Sequence, residues 1–288
     1  MVDEGRVLAS DGAWGTMLQS QGLEPGECPE LWNLTHSEVV LEIARGYIEA
    51  GAEMIETNTF GANRIRLMHF GLENDAVRVN EAGASISREA AGDRIVLGSI
   101  GPTGKVLMMG EVSEEEVFEA FREQIIGLES GGANALCIET FTAIDEAVIA
   151  VKAARMNAGL EIACTFAFDK SADGSYRTIM GHTVGEVVEA LKQERVDIIG
   201  ANCGNSIVDM IEVVREMRRI EPEMPILAQP NAGMPSVIGG KIVYPDSPEF
   251  MASKVPELIE AGADIIGGCC GTTPEHIKAI AKAIREHQ

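Results

Sequence analysis

Short runs of aliphatic and β-branched residues recur eight times along the chain, at residues 6–11, 53–59, 94–100, 135–140, 161–166, 197–201, 225–229 and 264–267. Within each run polar residues are few, which is how strands covered on both faces of a parallel sheet read. Between the runs lie amphipathic stretches. Helices are predicted at 37–50, 113–130, 183–195, 206–219 and 247–261, and a last one opens at Thr273. The stretch at 113–130 begins SEEE, a capping box with acid at the positive end of the helix dipole. Its apolar residues Val117, Phe118, Phe121, Ile125 and Leu128 recur at steps of three and four. The last helix opens Thr-Pro-Glu: cap, proline in the first turn, then acid.

A short phrase repeats at the joins. Ala-Gly-Ala-Glu (50–53) and Ala-Gly-Ala-Asp (261–264) precede the second and eighth runs, and Gly-Gly-Ala-Asn (131–134) precedes the fourth. Each marks a helix ending at glycine and a strand beginning. Strand-then-helix units numbering eight predict an α/β protein, a single (β/α)8 TIM barrel spanning residues 1–288. An open doubly wound sheet is the alternative. No linker, low-complexity tract or charge block divides the chain.

Composition narrows this further. A length of 288 residues suits an α/β barrel as one unit. With 45% hydrophobic residues, 5% aromatics and 31 glycines, the interior should be aliphatic and the turns many. The formal net charge of −22 disfavours nucleic acid and anionic membranes as partners. No apolar run is long enough to span a bilayer, and the opening MVDEGRVLASDG lacks the apolar core of a signal peptide. Six cysteines, two of them adjacent, fit a cytoplasmic thiol protein better than a disulfide framework.

Barrels of this kind carry their active sites at the C-terminal ends of the strands. Three cysteines fall there: Cys203 after the sixth run, and Cys269 and Cys270 after the eighth. Only the seventh strand would separate them, so three thiols could converge on one side of the barrel mouth. Zinc with three protein ligands keeps a fourth position open for substrate. Two other readings stay open at this point: a glycine-rich loop cradling phosphate, and a strained vicinal disulfide. Cys137 and Cys164, inside apolar runs, read as core residues, and Cys28 is assigned no role. The five histidines show no ligand or triad spacing, and His276 is expected on the surface of the last helix.

The motifs DGAWGTMLQ (11–19), ETNTFGAN (56–63), ETF (139–141), NCG (202–204), QPNAG (229–233) and GGCCGTTPEHI (267–277) together resemble the homocysteine S-methyltransferase family over nearly the whole chain. That family includes the homocysteine domain of cobalamin-dependent methionine synthase, betaine–homocysteine methyltransferase and the S-methylmethionine-dependent enzymes. The resemblance implies a (β/α)8 barrel with a catalytic zinc held by Cys203, Cys269 and Cys270. It implies that Glu139 takes the amino group of homocysteine. Backbone amides at Gly15 and Thr16 would take the carboxylate, with Asp11 beside that loop. Asn231 would lie near the zinc, able to fill its fourth position before substrate binds. Asn202 is expected to shape the strand end.

The same resemblance bears on the methyl donor. ETNTF matches the cobalamin-dependent branch, and Thr140 stands where the betaine enzymes carry tyrosine. Two tryptophans and three tyrosines leave little from which to build an aromatic cage for a quaternary ammonium. The implied donor is therefore a methylated corrinoid on a separate protein, because no folate barrel or cobalamin domain is recognised in the chain. The longest segments after strands, 170–182 and 233–244, would form a lid, a docking surface or ordinary loops. Alternatives are a component that moves methyl groups between another small molecule and a corrinoid protein, a zinc-binding scaffold, and a phosphate-binding lyase. The last ranks lowest because Lys105 and Lys170 follow strands instead of lying within them.

Overall fold

The computed structural model describes residues 5–239 and 241–287; position 240, within the 233–244 segment, and the first four residues lie outside it. Eight parallel strands form the central sheet: β1 (Leu8–Ala9), β2 (Met54–Glu56), β3 (Ile95–Ile100), β4 (Ala135–Phe141), β5 (Glu161–Phe166), β6 (Ile198–Ser206), β7 (Ile226–Asn231) and β8 (Ile265–Ile266). Their order is β1-β8-β7-β6-β5-β4-β3-β2, every neighbour parallel. The seam between β1 and β2 closes differently. Glu53 N donates to the Ala9 carbonyl at 2.8 Å, and Glu56 N donates to the Asp11 carboxylate at 2.9 Å. A side chain there completes what a longer strand would supply with backbone.

Eight principal helices alternate with the strands: α1 (Ser37–Ala50), α2 (Ala76–Ala91), α3 (Glu114–Ser130), α4 (Ile144–Asn157), α5 (Val184–Gln193), α6 (Ile207–Ile220), α7 (Pro248–Ala261) and α8 (Pro274–His287). The predicted barrel is therefore present, and the predicted helix starts fall within a residue of those observed. The capping box at Ser113 and Glu116 forms, and a second forms at Thr183 and Glu186. The segments 170–182 and 233–244 are not plain loops. Each carries a short antiparallel hairpin, Asp169–Lys170 with Tyr176–Arg177 and Ser236–Ile238 with Lys241–Val243.

The repeated phrase at the joins has a physical cause. Gly51 and Gly262 end α1 and α7 in the left-handed conformation, and Gly132 takes it after α3. At two of these joins the polar residue that follows caps the neighbouring strand. Asn134 accepts from Val96 N at 2.9 Å, and Asp264 accepts from Ile226 N at 2.8 Å. Asp197 repeats the device on Ile162 N at 2.8 Å. The two aspartates are in turn paired with Arg218 and Arg155.

Inside the barrel, all eight strands contribute to one apolar layer: Leu8, Met54, Leu97, Ala135 and Cys137, Ala163, Ile198, Leu227 and Ile265. Because side chains on one face recur every second residue, the positions two residues further along face the same interior. They are Ser10, Glu56, Ser99, Glu139, Thr165, Gln229 and Gly267. The interior thus changes from a greasy floor to a polar layer within one step along each strand. A second, larger apolar cluster fills the space between strands and helices and includes Cys164.

Asp264→Ala removes the acceptor of Ile226 N and the partner of Arg218 at the N-terminal face of the barrel. It should cost about 2 kcal/mol, read as a lower urea midpoint, with the sulfur cluster at the opposite face unchanged in metal uptake. An equal loss of both would contradict the separation of the two faces.

Candidate functional site

Above the polar layer the barrel mouth holds a cavity of about 370 Å³. Its walls include Trp14, Gly15, Thr16, Glu56, Ser99, Glu139, Asn202, Cys203, Gln229, Cys269 and Cys270. Among the described residues, no lysine or arginine lines it.

The thiols of Cys203, Cys269 and Cys270 lie within 4.8 Å of one another. All three are half-buried and free, so no vicinal disulfide joins the adjacent pair. Cys203 arrives from the end of β6 with φ of +57°, a conformation that is costly for a side-chain-bearing residue. Cys269 and Cys270 follow β8. Their loop is anchored by its own backbone: Gly267 N donates to Ala228 O, Gly268 N to Asp11 O, Cys269 N to Pro230 O and Thr272 N to Cys269 O. With these N–H groups bonded to protein carbonyls, the loop is not an open phosphate cradle. The flanking glycines are explained by contact with the protein itself. A Cβ on Gly268 would stand 2.5 Å from the Thr272 side chain, and one on Gly271 would stand 2.1 Å from the Tyr244 ring.

Hydrogen bonds from Cys269, and then from Cys270, pull Cys203 down to about 3. Cys270 is pushed up to about 11 and Cys269 is raised as well, chiefly by their bonds to Cys203. One negative charge is therefore shared by the metal-free cluster, centred on Cys203. Asn231 also donates to Cys203, while its buried Oδ1 has no hydrogen-bond partner. Three convergent thiols beside an unpartnered amide oxygen fit a thiophilic cation such as zinc, whose sites combine sulfur with lighter donors in four-coordinate geometry.

Glu139 lies across the cavity at the end of β4. Ser99 Oγ donates to Oε1 in a short hydrogen bond, and Asn202 Nδ2 donates to Oε2 at 3.3 Å. Burial, then the nearby Glu56, raises its carboxyl well above the usual range, with Asp11 and Cys203 adding to the effect. Glu56 is raised by burial, and Asp11 by burial and by Glu56. Three buried carboxyls near one another favour an incoming positive charge.

Thr140 follows Glu139 with φ of +60°, an outlier for a β-branched residue. Asn202 holds it there. Asn202 Oδ1 accepts from Thr140 N at 2.9 Å and from Thr165 Oγ1 at 2.7 Å, while Nδ2 donates to Thr140 Oγ1 at 2.6 Å. One amide thus bridges β4, β5 and β6 and shapes the strand end, as expected for it. Two residues with strained backbones, Thr140 and Cys203, thus line the same cavity.

The structure brings Cys203, Cys269, Cys270, Glu139, Gly15 and Thr16 to the cavity wall. Gly15 and Thr16 start the short helix Gly15–Ser20, whose first amides have no partner within it. Asn231 stands behind Cys203. Asp11 is fully buried behind the wall, where its carboxyl accepts from Trp14 Nε1 at 3.0 Å and from Glu56 N; it fixes two residues that do line the cavity. Glu56 and Ser99 were not among the expected site residues, although their period-2 relation to the apolar layer places them at the mouth. His276 is not a surface residue. It is 8% exposed, with Nδ1 meeting Thr273 and Nε2 bonding the Asp246 carbonyl at 3.0 Å.

Comparison with known proteins agrees with this arrangement. The chain matches the homocysteine S-methyltransferase family over residues 8–284. It is 34% identical to the methionine synthases of Mycobacterium leprae and Mycobacterium tuberculosis, over 97% of this chain. It spans about a quarter of their length, 24% and 25% respectively. Its fold superposes on the metallated form of the homocysteine methyltransferase MmuM from Escherichia coli with a TM-score of 0.78 at 24% identity, covering 97% of each chain. A methyltransferase from Methanosarcina mazei shares the fold at a TM-score of 0.62 and 13% identity, over 99% of this chain and 95% of that one.

Because Cys203 is held low, its charged form survives as pH falls until about 3. Metal-free, reduced protein should therefore keep thiolate ultraviolet absorbance at about pH 6, where an ordinary thiol near ~8.5 is protonated. The signal should fall in Cys203→Ala. A wild-type signal lost at the pH of a free cysteine would contradict the shared-charge cluster. The matched motifs, the barrel and the sulfur-lined mouth agree, and the chain belongs to the homocysteine S-methyltransferase family.

Proposed function

We propose that the chain methylates homocysteine to methionine, activating the substrate thiol at a zinc held by Cys203, Cys269 and Cys270. The carrying observation is the convergence of three free thiols within 4.8 Å of one another on the wall of a cavity that also presents Glu139. Cys203, Cys269 and Cys270 would hold the zinc, which when bound would supply the Lewis acidity that favours the thiolate form of a substrate thiol at neutral pH.

The protein's own groups supply the rest. Glu139, steered by Ser99 and Asn202, accepts hydrogen bonds from the substrate ammonium, whose positive charge offsets the burial that raises this carboxyl. The first amides of the Gly15–Ser20 turn face the substrate carboxylate. Those two anchors fix the amino acid end, so the sulfur points at the cysteines and the methyl donor must approach in line from the open mouth. The sulfur forms its new bond to the methyl carbon as the bond to the donor breaks, and the donor keeps that electron pair. No general base is needed at the methyl carbon, in keeping with a cavity wall on which no described residue is histidine.

The donor we propose is a methylated corrinoid carried by a separate protein. Support comes from the rim. Met108 and Met109 after β3, Ile179 after β5, and Met234, Val237 and Ile242 after β7 are large apolar side chains left exposed on segments that follow strand C-termini. Exposed apolar surface around a cavity mouth suits a protein partner. An acidic chain of net charge −22 would favour a complementary basic face on it.

Calorimetry with L-homocysteine tests this. Zinc-loaded protein should bind one equivalent and release protons, and Cys270→Ala should lose both zinc and binding. Zinc uptake with no homocysteine binding would point to a different substrate for a corrinoid-linked component; no zinc in reduced protein would overturn the mechanism. In a separate test, Glu139→Gln should keep its zinc yet bind homocysteine roughly 10- to 100-fold more weakly, the loss of one charged hydrogen bond. Unchanged affinity would remove Glu139 from the substrate site.

A further inference from the structure

Strand β8 pairs with β7 at Ile265 and Ile266. Beyond them, where the chain reaches Cys269 and Cys270, single hydrogen bonds take over from the ladder, and four of them close into a circuit. Cys270 O accepts from Ala232 N at 3.0 Å, and Ala232 O accepts from Asp246 N at 3.0 Å. His276 Nε2 bonds Asp246 O at 3.0 Å. His276 Nδ1 meets Thr273 N at 3.2 Å, and Thr273 stands three residues after Cys270. A backbone N–H can only donate and a backbone carbonyl can only accept, so the ring N–H is on Nε2 and points at Asp246. Gly233 lets the two segments cross. It has φ of +83°, and a Cβ there would stand 2.8 Å from Asp246 Cγ. The first two links join backbone to backbone. The other two both run through one imidazole, which is 8% exposed.

From this circuit we infer that His276 is a positioning residue for the thiol cluster. It holds the loop of Cys269 and Cys270 against the end of β7, which carries Asn231, at a spacing that strand pairing no longer sets. Asn231 is the residue before Ala232, and its buried Oδ1 has no hydrogen-bond partner. Fixing Ala232 against Cys270 therefore fixes an unpartnered oxygen against a sulfur. Residues that orient metal ligands without touching the metal typically govern about 10- to 100-fold in metal affinity. The inference rests on the metal-binding reading of the three cysteines, but it holds whichever thiol is the substrate.

Thr273 and His276 hold the two ends of a capping box, where glutamate and glutamine serve equally. His276→Gln and His276→Glu should therefore both satisfy Thr273 N and both fold, but only glutamine has an N–H for the Asp246 carbonyl. The probe is cobalt(II), titrated into reduced protein with no homocysteine and no methyl donor, and read by its affinity and by the d–d bands of tetrahedral cobalt. His276→Gln should stay within a few-fold of the wild type. His276→Glu should bind cobalt roughly 10- to 100-fold more weakly, with weaker bands, although its added negative charge acts toward tighter cation binding. Asp264→Ala, destabilised at the opposite face, should keep the wild-type affinity and bands. Equal affinities in the two His276 variants, at whatever level, would overturn the positioning role, and so would a loss in Asp264→Ala as large as that in His276→Glu. Failure of homocysteine to bind the cobalt-loaded wild type would count against the proposed substrate and leave this result standing; a wild-type chain that takes up no cobalt would overturn both.

Discussion

Three sulfur atoms within 4.8 Å of one another are the constraint around which the rest of the mouth is arranged. As separate anions they would repel, and as three neutral thiols they would be weak donors. The protein settles them as one shared thiolate with hydrogen bonds from the other two, a state that a soft dication would stabilise far more. Reaching that geometry requires strands β6 and β8 to stand on either side of β7 in a parallel sheet. It also requires Cys203 to accept a left-handed backbone at the end of β6. The strain is local, and the strands below it carry an unbroken apolar layer. Stability and chemistry occupy opposite ends of the same strands.

Across the cavity, charge is arranged to be answered by substrate. Glu56 and Glu139 are buried at its wall, Asp11 just behind, and no basic residue among those described lines the space. A ligand that brings an ammonium at one end and a thiol at the other would satisfy both sides at once. The ammonium would offset the desolvation that raises these carboxyls, and the sulfur would complete the thiol set. Asn202 links the two halves physically. It bonds Glu139 and Thr140 on β4 and stands 4.0 Å from the Cys269 sulfur.

Much of this was legible in the chain because burial leaves a simple trace. Parallel strands read as short aliphatic runs, and the glycine-then-acid phrases mark helix ends at 51 and 262 because those positions need a left-handed residue, with a strand cap added at Asp264. The sulfur triad was legible because strand order alone sets which loops meet. Helices α2 and α4 were not individually placed. Asp75 begins α2 and Ala143 begins α4 without a side-chain cap bond, so neither start carries a capping signature. Glu56 and Ser99 were missed because each reads as the polar end of a hydrophobic strand; the signal lies in register, two residues beyond Met54 and Leu97. His276 looked superficial because helix periodicity cannot show that the segment after β7 folds back over it.

The central claim is that substrate sulfur completes a three-cysteine metal site. X-ray absorption at the zinc edge of the zinc-loaded protein tests it most directly. Three sulfur neighbours at about 2.3 Å with one lighter oxygen or nitrogen neighbour should become four sulfurs when homocysteine is added. A first shell that homocysteine leaves unchanged would contradict the account.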